Sequence, residues 1–256
     1  MIDIHAHVLP GLDDGPRTVE EALTMLRIAE QDGIAKIFAT PHFDGTDGTV
    51  VSLASSVLRV VQQRASQCGL GVKIASGFEV ALSPALSNGD INVEDLVLNN
   101  SRYILVEAPV AFWPAYVEEC LFWLQTQGLR PILAHVERYK AVQTNLDRAV
   151  QLHQRGILLQ VNAGSVTGGE GRQEQRCAKM LLRRNLAHFI ASDCHSAKQR
   201  RPGLRNAAAK ARRIVGGEAA GRLTMQNPQA VSLDHELPAP AEITHPMRFT
   251  LRRQLP

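Results

Sequence analysis

Two histidines one residue apart, His5 and His7, sit in the apolar run Met1-Ile-Asp-Ile-His-Ala-His-Val8. On a β-strand residues i and i+2 share a face, so the two imidazoles project together. Paired imidazoles fill a core poorly and bind metal well. Alone an H-x-H is a weak signal, but the same kind of residue recurs after similar apolar runs. His42 follows Lys36-Ile-Phe-Ala-Thr40, Glu79 closes the run that begins at Gly71, and Glu107 closes Tyr103-Ile-Leu-Val. His135 closes the run from Arg130, and Asp193 and His195 follow His188-Phe-Ile-Ala-Ser. One catalytic zinc takes about three protein ligands, so these eight donors suit two or three ions with a carboxylate such as Glu79 bridging. The set holds imidazole and carboxylate but no thiolate, which selects Mn²⁺, Fe or Zn²⁺ over a structural zinc or an iron–sulfur cluster. Adjacent ions acidify a bound water and clamp the oxygens of an in-line displacement, the requirements of phosphoester hydrolysis. Arg138 just past His135 and Arg200 just past His195 stand where guanidinium forks could meet phosphate oxygens.

The elements that must position these residues are short. Strands are expected over 2–8, 36–40, 71–79, 103–107, 130–135, 157–162 and 188–193, with helices between them. Thr18-Val-Glu-Glu21 is a capping-box pattern opening a helix that Gly33 stops. Further helices fit 52–67, 115–127, 145–155 and 172–185, while 84–100 reads poorly. Nearly continuous apolar strands alternating with helices mean parallel strands buried on both faces. Either a (β/α) barrel with seven strands or a doubly wound open sheet satisfies that pattern. The candidate ligands fall at the C-terminal ends of the strands, the catalytic rim of such a barrel, which favours a distorted, TIM-like (β/α)7 barrel. That single domain is expected to span 1–230. From Pro228 helical periodicity fades and prolines gather, so 231–256 reads as a loosely attached or disordered tail.

The chain has 256 residues, 45% hydrophobic, with a formal net charge of +3, which does not argue for nucleic acid. No apolar run approaches the roughly 20 residues of a membrane span, so no membrane insertion is expected. A strand starting at residue 2 leaves no place for a signal peptide, and four cysteines without framework spacing suit a reducing compartment; the expected location is the cytoplasm. Positive charge is concentrated locally in Arg200, Arg201, Arg205, Lys210, Arg212 and Arg213, either a solvated helix face or a docking surface for an acidic partner. Two segments, Cys194 to Arg200 and Cys177 to Arg183, fit the C-x5-R signature of cysteine-dependent tyrosine phosphatases. That chemistry needs a cradle of backbone N–H groups around a low-pKa thiolate. Neither segment contains a glycine, Cys177 lies in a helical pattern, and Cys194 lies between two ligands and so faces away from them.

Taken together, Met1-Ile-Asp-Ile-His-Ala-His-Val-Leu-Pro-Gly-Leu-Asp-Asp-Gly15, Ala39-Thr-Pro-His42, Gly77-Phe-Glu79, His135-Val-Glu-Arg-Tyr139, Val161-Asn-Ala-Gly-Ser165 and Ala191-Ser-Asp-Cys-His195 form an ordered motif set. The set resembles the bacterial manganese-dependent protein-tyrosine phosphatases of the PHP (polymerase and histidinol phosphatase) superfamily, over residues 1 to about 230. The resemblance implies a seven-stranded barrel and a trinuclear Mn²⁺ site. It also implies a phosphotyrosine protein as substrate, a tyrosine autokinase of capsule or exopolysaccharide export. It adds Asp14 as a ligand, where spacing leaves Asp13 and Asp14 equivalent, and it sets the phosphate contact on Arg200 rather than Arg201. Val136 stands where the family usually has proline, and residues 43–53 are short and polar beside the family pattern. Two other functions fit the same residues: a phosphatase of small phosphate monoesters such as histidinol phosphate or of nucleic-acid ends, and a metal-stabilised regulatory domain without turnover. The sequence leaves the oligomeric state open.

Overall fold

A computed structural model describes residues 1–45, 48–88 and 92–238. Among these residues the apolar runs form nine short strands. They are β1 (Ile2–Ala6), β2 (Lys36–Ala39), β3 (His42–Phe43), β4 (Lys73–Ser76), β5 (Glu79–Ala81), β6 (Tyr103–Glu107), β7 (Arg130–Leu133), β8 (Leu158–Asn162) and β9 (Phe189–Ala191). Every pairing is parallel, in the orders β1-β2-β4 and β3-β5-β6-β7-β8-β9. An isolated parallel bridge between Ala6 and Cys194 brings the last strand back to the first. The result is a curled, parallel α/β sheet with helices outside, the coarse form of the expected barrel.

Two expected strands are each broken in two. Lys36–Thr40 parts from His42 at Pro41, which has no N–H to give a ladder. The Gly71–Glu79 run parts at Gly77, where a Cβ would lie 2.5 Å from Leu98 Cδ2. Each break lets the chain change partners, so β2 pairs with β1 and β4 while β3 pairs with β5. His42 then sits in register with Glu79.

The helices are α1 (Val19–Gln31), α2 (Thr49–Gln67), α3 (Ala115–Thr126), α4 (Lys140–Thr144), α5 (Asp147–Gln154), α6 (Ala163–Thr167), α7 (Arg172–Arg183), α8 (Arg205–Val215), α9 (Gly217–Gly221) and α10 (Asn227–Ser232). Thr18 caps α1 by accepting from Glu21 N at 3.2 Å, and Glu21 reaches back to Arg17 N at 2.7 Å, one residue further than the usual box. The hard-to-read 84–100 stretch contains short 3-10 turns at Pro84–Asn88, Val93–Leu96 and Leu98–Asn100, too brief to leave a helical period. Helical structure does not end at Pro228. This proline falls early in α10, directly after a π-helical turn at Arg222–Gln226 whose wider bonding, Asn227 N to Arg222 O, carries the helix past it. Residues 231–238, assigned to the tail by composition, are held: Val231 is fully buried, Asp234 and Glu236 pair with Arg102, and Tyr103 Oη donates to His235 O at 2.6 Å. The rest of the expected tail, 239–256, lies outside the described residues.

A bulge in β1 decides what faces the site. Asp3 pairs with Ile37 but Ala6 with Ala39, so β1 carries one extra residue. In an unbroken strand Ile4 and Ala6 would share a face. Here Ile2 and Ile4 join a cluster with Phe38, Tyr103, Leu105, Ile132, Leu158 and Phe189, while Ala6 and Val8 join the larger cluster under the helices. The extra residue therefore lets β1 supply both hydrophobic filling and, beyond it, His5 and His7.

The seam between β1 and the end of β9 is closed by His7 N to Cys194 O and Asp193 N to His5 O, both 2.9 Å, and by Asp3, whose Oδ1 accepts from Ser192 N at 3.0 Å. Asp3 is fully buried, and burial raises its carboxyl to about 6. Asp3→Ala leaves the buried Ser192 N–H without its acceptor, a loss of about 1–3 kcal/mol. Urea unfolding followed by circular dichroism should show this as a lower midpoint, with Asp3→Asn, which keeps an oxygen, losing less.

Candidate metal centre

All nine expected ligands meet above the hydrophobic filling, delivered by β1, the loop after it, β3, β5, β6, and the segments following β7 and β9. The deepest part is built on His5, His7, Glu79 and Asp193. His5 Nε2 lies 3.2 Å from His7 Nε2, 3.2 Å from Glu79 Oε2 and 3.4 Å from Asp193 Oδ1. His7 Nε2 lies 3.3 Å from the same Glu79 oxygen and 3.6 Å from the same Asp193 oxygen. Ligand atoms about 2.1 Å from a common ion stand about 3.0–3.4 Å apart at octahedral or tetrahedral angles, and four of these five distances fall in that range.

Two neighbouring groupings share this wall. His42 Nδ1 approaches Glu79 Oε2 at 3.1 Å and Glu107 Oε1 at 3.3 Å. Asp14 Oδ1 lies 3.2 Å from His195 Nε2 and 3.6 Å from His42 Nε2. His135 Nε2 reaches Glu79 Oε1 at 2.9 Å and Glu107 Oε2 at 3.7 Å. Depth differs across the site: His5, His7 and Glu79 are sealed, while the side chains of His42 and Asp14 are 39% and 65% exposed.

Hydrogen bonds behind the ligands aim their lone pairs inward. His5 Nδ1 donates to Gln160 Oε1 at 3.1 Å, His7 Nδ1 to Asp13 Oδ2 at 2.6 Å, and His195 Nδ1 to Asp193 O at 3.0 Å. Each bond leaves Nε2 as the lone-pair nitrogen on the cluster side. Two such lone pairs 3.2 Å apart repel unless a proton or a metal ion lies between them. Glu79 Oε2 is fully buried among three imidazole nitrogens, yet no donor meets it in hydrogen-bonding geometry. Together with the donor chemistry, these features fit divalent cations held by imidazole and carboxylate.

The charges are strongly interdependent. Burial opposes a charge on His42, but Glu107 and Glu79 outweigh it and raise the ring to about 11; His5 is raised to about 9 against burial by Glu79 and Asp193. Burial alone would raise Glu79 and Asp193, yet His5 and the neighbouring histidines hold both below the ordinary carboxylate range. Burial, His7 and Arg200 push His195 down to about 4. Protons and metal ions compete for such lone pairs, so metal binding here releases protons.

The structure separates Asp13 from Asp14. Asp13 turns inward, accepting from His7 Nδ1, Gly15 N at 2.9 Å and His42 N at 3.2 Å, whereas Asp14 faces His195 and His42 from the open side. At Gly15 a Cβ would lie 2.9 Å from both Asp13 Oδ1 and His7 O, so this turn admits only glycine without a shift. His135 and Asp193 adopt left-handed backbone, φ 32° and 52°, uncommon for these residues. Both lie past the ends of their strands rather than on them.

Two residues not foreseen as part of the site are Gln160 and Asn162 on β8. Gln160 Oε1 also accepts from His135 N at 2.9 Å; its Nε2 donates to Asn162 Oδ1 at 2.9 Å, and Asn162 Nδ2 donates to Asp193 Oδ2 at 2.7 Å. This amide chain ties His5 and His135 to Asp193. Its signal was present: two polar residues at i and i+2 in an apolar buried strand, the same arithmetic that singled out His5 and His7. Glu137 is not with the ligands. It is fully buried, accepts from Asn162 N at 3.0 Å, and is raised by burial to about 7.

Both expected arginines reach the rim through Asp193. Arg200 Nη2 is 2.5 Å and Arg138 Nη1 3.6 Å from Asp193 Oδ2, and both side chains remain over a third exposed. The C-x5-R cysteines do not join them. Cys194 packs in the outer hydrophobic cluster, its thiol pushed up by burial, and Cys177 sits buried in α7 with its thiol raised to about 12.

With this geometry in view, comparison with known proteins is specific. The family described as capsular polysaccharide synthesis, CpsB/CapC, matches residues 1–232. CapC of Staphylococcus aureus is 35% identical over 201 residues, covering 78% of this chain and 79% of the relative. Tyrosine-protein phosphatase YwqE of Bacillus subtilis is 32% identical over 203 residues, with the same coverage of each chain. A crystal structure from work on YwqE of B. subtilis and CpsB of Streptococcus pneumoniae, described as unique metal-dependent tyrosine phosphatases, superimposes with a TM-score of 0.86. It shares 29% identity and covers 94% of this chain and 100% of its own. The chain thus belongs to the CpsB/CapC family of capsular polysaccharide synthesis.

Proposed function

We propose that this chain is a metal-dependent protein-tyrosine phosphatase, built on a distorted seven-stranded (β/α) barrel and serving capsule or exopolysaccharide synthesis. Its substrate in this reading is a phosphotyrosine protein, a tyrosine autokinase. The observation that carries the reading is Glu79 Oε2, buried and unbonded among the ring nitrogens of His5, His7 and His42. Two or three Mn²⁺ ions, with Fe or Zn²⁺ as alternatives, would be held by His5, His7, Asp14, His42, Glu79, Glu107, His135, Asp193 and His195. When bound, the metal supplies a water acidified toward neutral pH and neutralises phosphate charge.

The protein's own part is orientation. Asp13 and Gln160 fix the His7 and His5 tautomers, and Asn162 holds the far oxygen of Asp193. A phosphate monoester carries nearly two negative charges, spread over three oxygens in a loose transition state. Arg138 and Arg200 face the open side, where they can take the oxygens that metal does not. The exposed Asp14 and His42 bring one side of the centre to the surface, where a side chain still attached to a protein can approach.

Chelation should abolish hydrolysis of a phosphotyrosine peptide and added Mn²⁺ should restore it best, with metal content measured alongside. Full activity in a verified metal-free sample would sink the proposal, and a preference for histidinol phosphate across a substrate panel would redirect it.

The cysteines provide a second test. Cys194→Ser should keep most activity, whereas His135→Ala and Asp193→Ala should lose nearly all of it; the reverse pattern would restore the C-x5-R reading.

For the arginines, losing one preorganised donor to a developing charge costs about 2–4 kcal/mol. Lysine keeps the charge but not the planar fork. Arg138→Lys and Arg200→Lys should each lose roughly 10-fold or more in kcat/KM with metal content unchanged, and wild-type efficiency in both would remove the clamp.

A further inference from the structure

Beside the metal centre, across Arg200, lies a second cavity of about 730 Å³ that the chemistry above does not use. Its charged lining is Asp32, Glu170, Arg200, Arg201, Lys210 and Arg213. Both carboxylates are already committed. Asp32 Oδ2 accepts from Leu204 N at 2.6 Å and Arg205 N at 2.9 Å, and Glu170 Oε2 accepts from Ser165 Oγ at 2.7 Å. Those donors are neutral and leave both carboxylates charged, so four cations stand against two acids in the lining. Lys210 Nζ donates only to a neutral carbonyl, Thr167 O at 2.6 Å, and among the described residues no acid comes within ion-pair range of Arg201, Lys210 or Arg213. Arg201 and Arg213 are exposed. Arg200 belongs to both places, its guanidinium on Asp193 and its side chain in the cavity wall.

We infer that this cavity is a docking subsite for acidic side chains flanking the phosphotyrosine of the protein substrate, a proposal that rests on the phosphatase reading. Like-charged groups held together without partners repel one another, and an incoming carboxylate relieves that repulsion. The shared wall at Arg200 places this cavity beside any peptide whose phosphate Arg200 holds. A concave pocket takes side chains from a peptide, whereas a lipid headgroup layer or a duplex backbone needs an open basic face. The cluster of arginines and lysine in the sequence thus gains a partner of defined sign.

The test uses the Mn²⁺-loaded full chain and two phosphotyrosine peptides of equal length, one with Glu and Asp flanking the phosphotyrosine, one with Gln and Asn. Wild type should favour the acidic peptide by about 10-fold in kcat/KM at low salt, and the ratio should fall with ionic strength. Arg201→Gln with Arg213→Gln should bring the ratio close to one. Arg213→Glu, which changes the charge by the same two units, should likewise bring it close to one. Reading each variant as a ratio between peptides separates docking from folding, because activity on the neutral peptide reports a folded enzyme. Equal wild-type rates on both peptides would overturn the subsite while leaving the phosphatase standing. No hydrolysis of either peptide, with another phosphate monoester turned over, would overturn the phosphatase reading and the subsite with it. Loss of cosedimentation with phosphatidylserine vesicles in the double variant, with the peptide ratio unchanged, would reassign the cluster to a membrane surface.

Discussion

The structure depends on one electrostatic constraint: Glu79 and Asp193 must remain anionic in an interior almost closed to water. A lone buried carboxylate would take up a proton. Here imidazoles converge on each, and burial is outweighed. The imidazoles are in turn fixed from behind, by Gln160, Asp13 and the carbonyl of Asp193. Nothing in that shell can rotate freely without leaving another buried group unpartnered, so the strands that carry it must stop and turn at set places. The bulge in β1, the breaks at Pro41 and Gly77, and the left-handed His135 and Asp193 are all local departures from regular sheet that serve this convergence.

That explains which features could be read from the chain alone. Ligand types at the ends of apolar runs are a one-dimensional pattern, and His5, His7, His42, Glu79, Glu107, His135, Asp193 and His195 fall together as the strand order requires. Parallel strands buried on both faces leave an equally plain trace. What stayed hidden needs three dimensions. Asp13 and Asp14 are neighbours of identical chemistry, and only the turn at Gly15 decides which one faces inward. The amide chain of Gln160 and Asn162 escaped because amides do not announce metal chemistry, although their spacing on β8 was the same as that of the histidines. Helix α10 was missed because proline reads as a breaker in composition, while here a π-helical turn at Arg222–Gln226 carries the helix past it.

The same constraint bears on stability. Concentrating ionisable groups in a dry interior is expensive unless each is paired, and a ligand that binds only the folded chain adds stability by mass action. The ring of bonds around the centre is therefore both a binding site and a structural joint. Asp3, Asp193 and Cys194 all contribute to the seam where the sheet meets itself, within the same few residues that supply the ligands. Closing the sheet and assembling the centre draw on the same few residues.

Asp193 connects this interior to the surface. One of its oxygens faces His5, His7 and His195; the other is shared by Asn162 and Arg200, with Arg138 just beyond. A guanidinium pinned on one edge by a buried carboxylate has lost most of its rotamer freedom before any substrate arrives, so little further entropy is lost when its free edge takes a phosphate oxygen. Arg201, one residue on, has no such anchor among the described residues. In the proposed reading a rigid Arg200 would take the phosphate and the unanchored Arg201 the variable flanks, a division of labour suited to a protein-directed phosphatase. The anchoring of Arg200 rests on a single side chain, Asp193, having two oxygens with different neighbours.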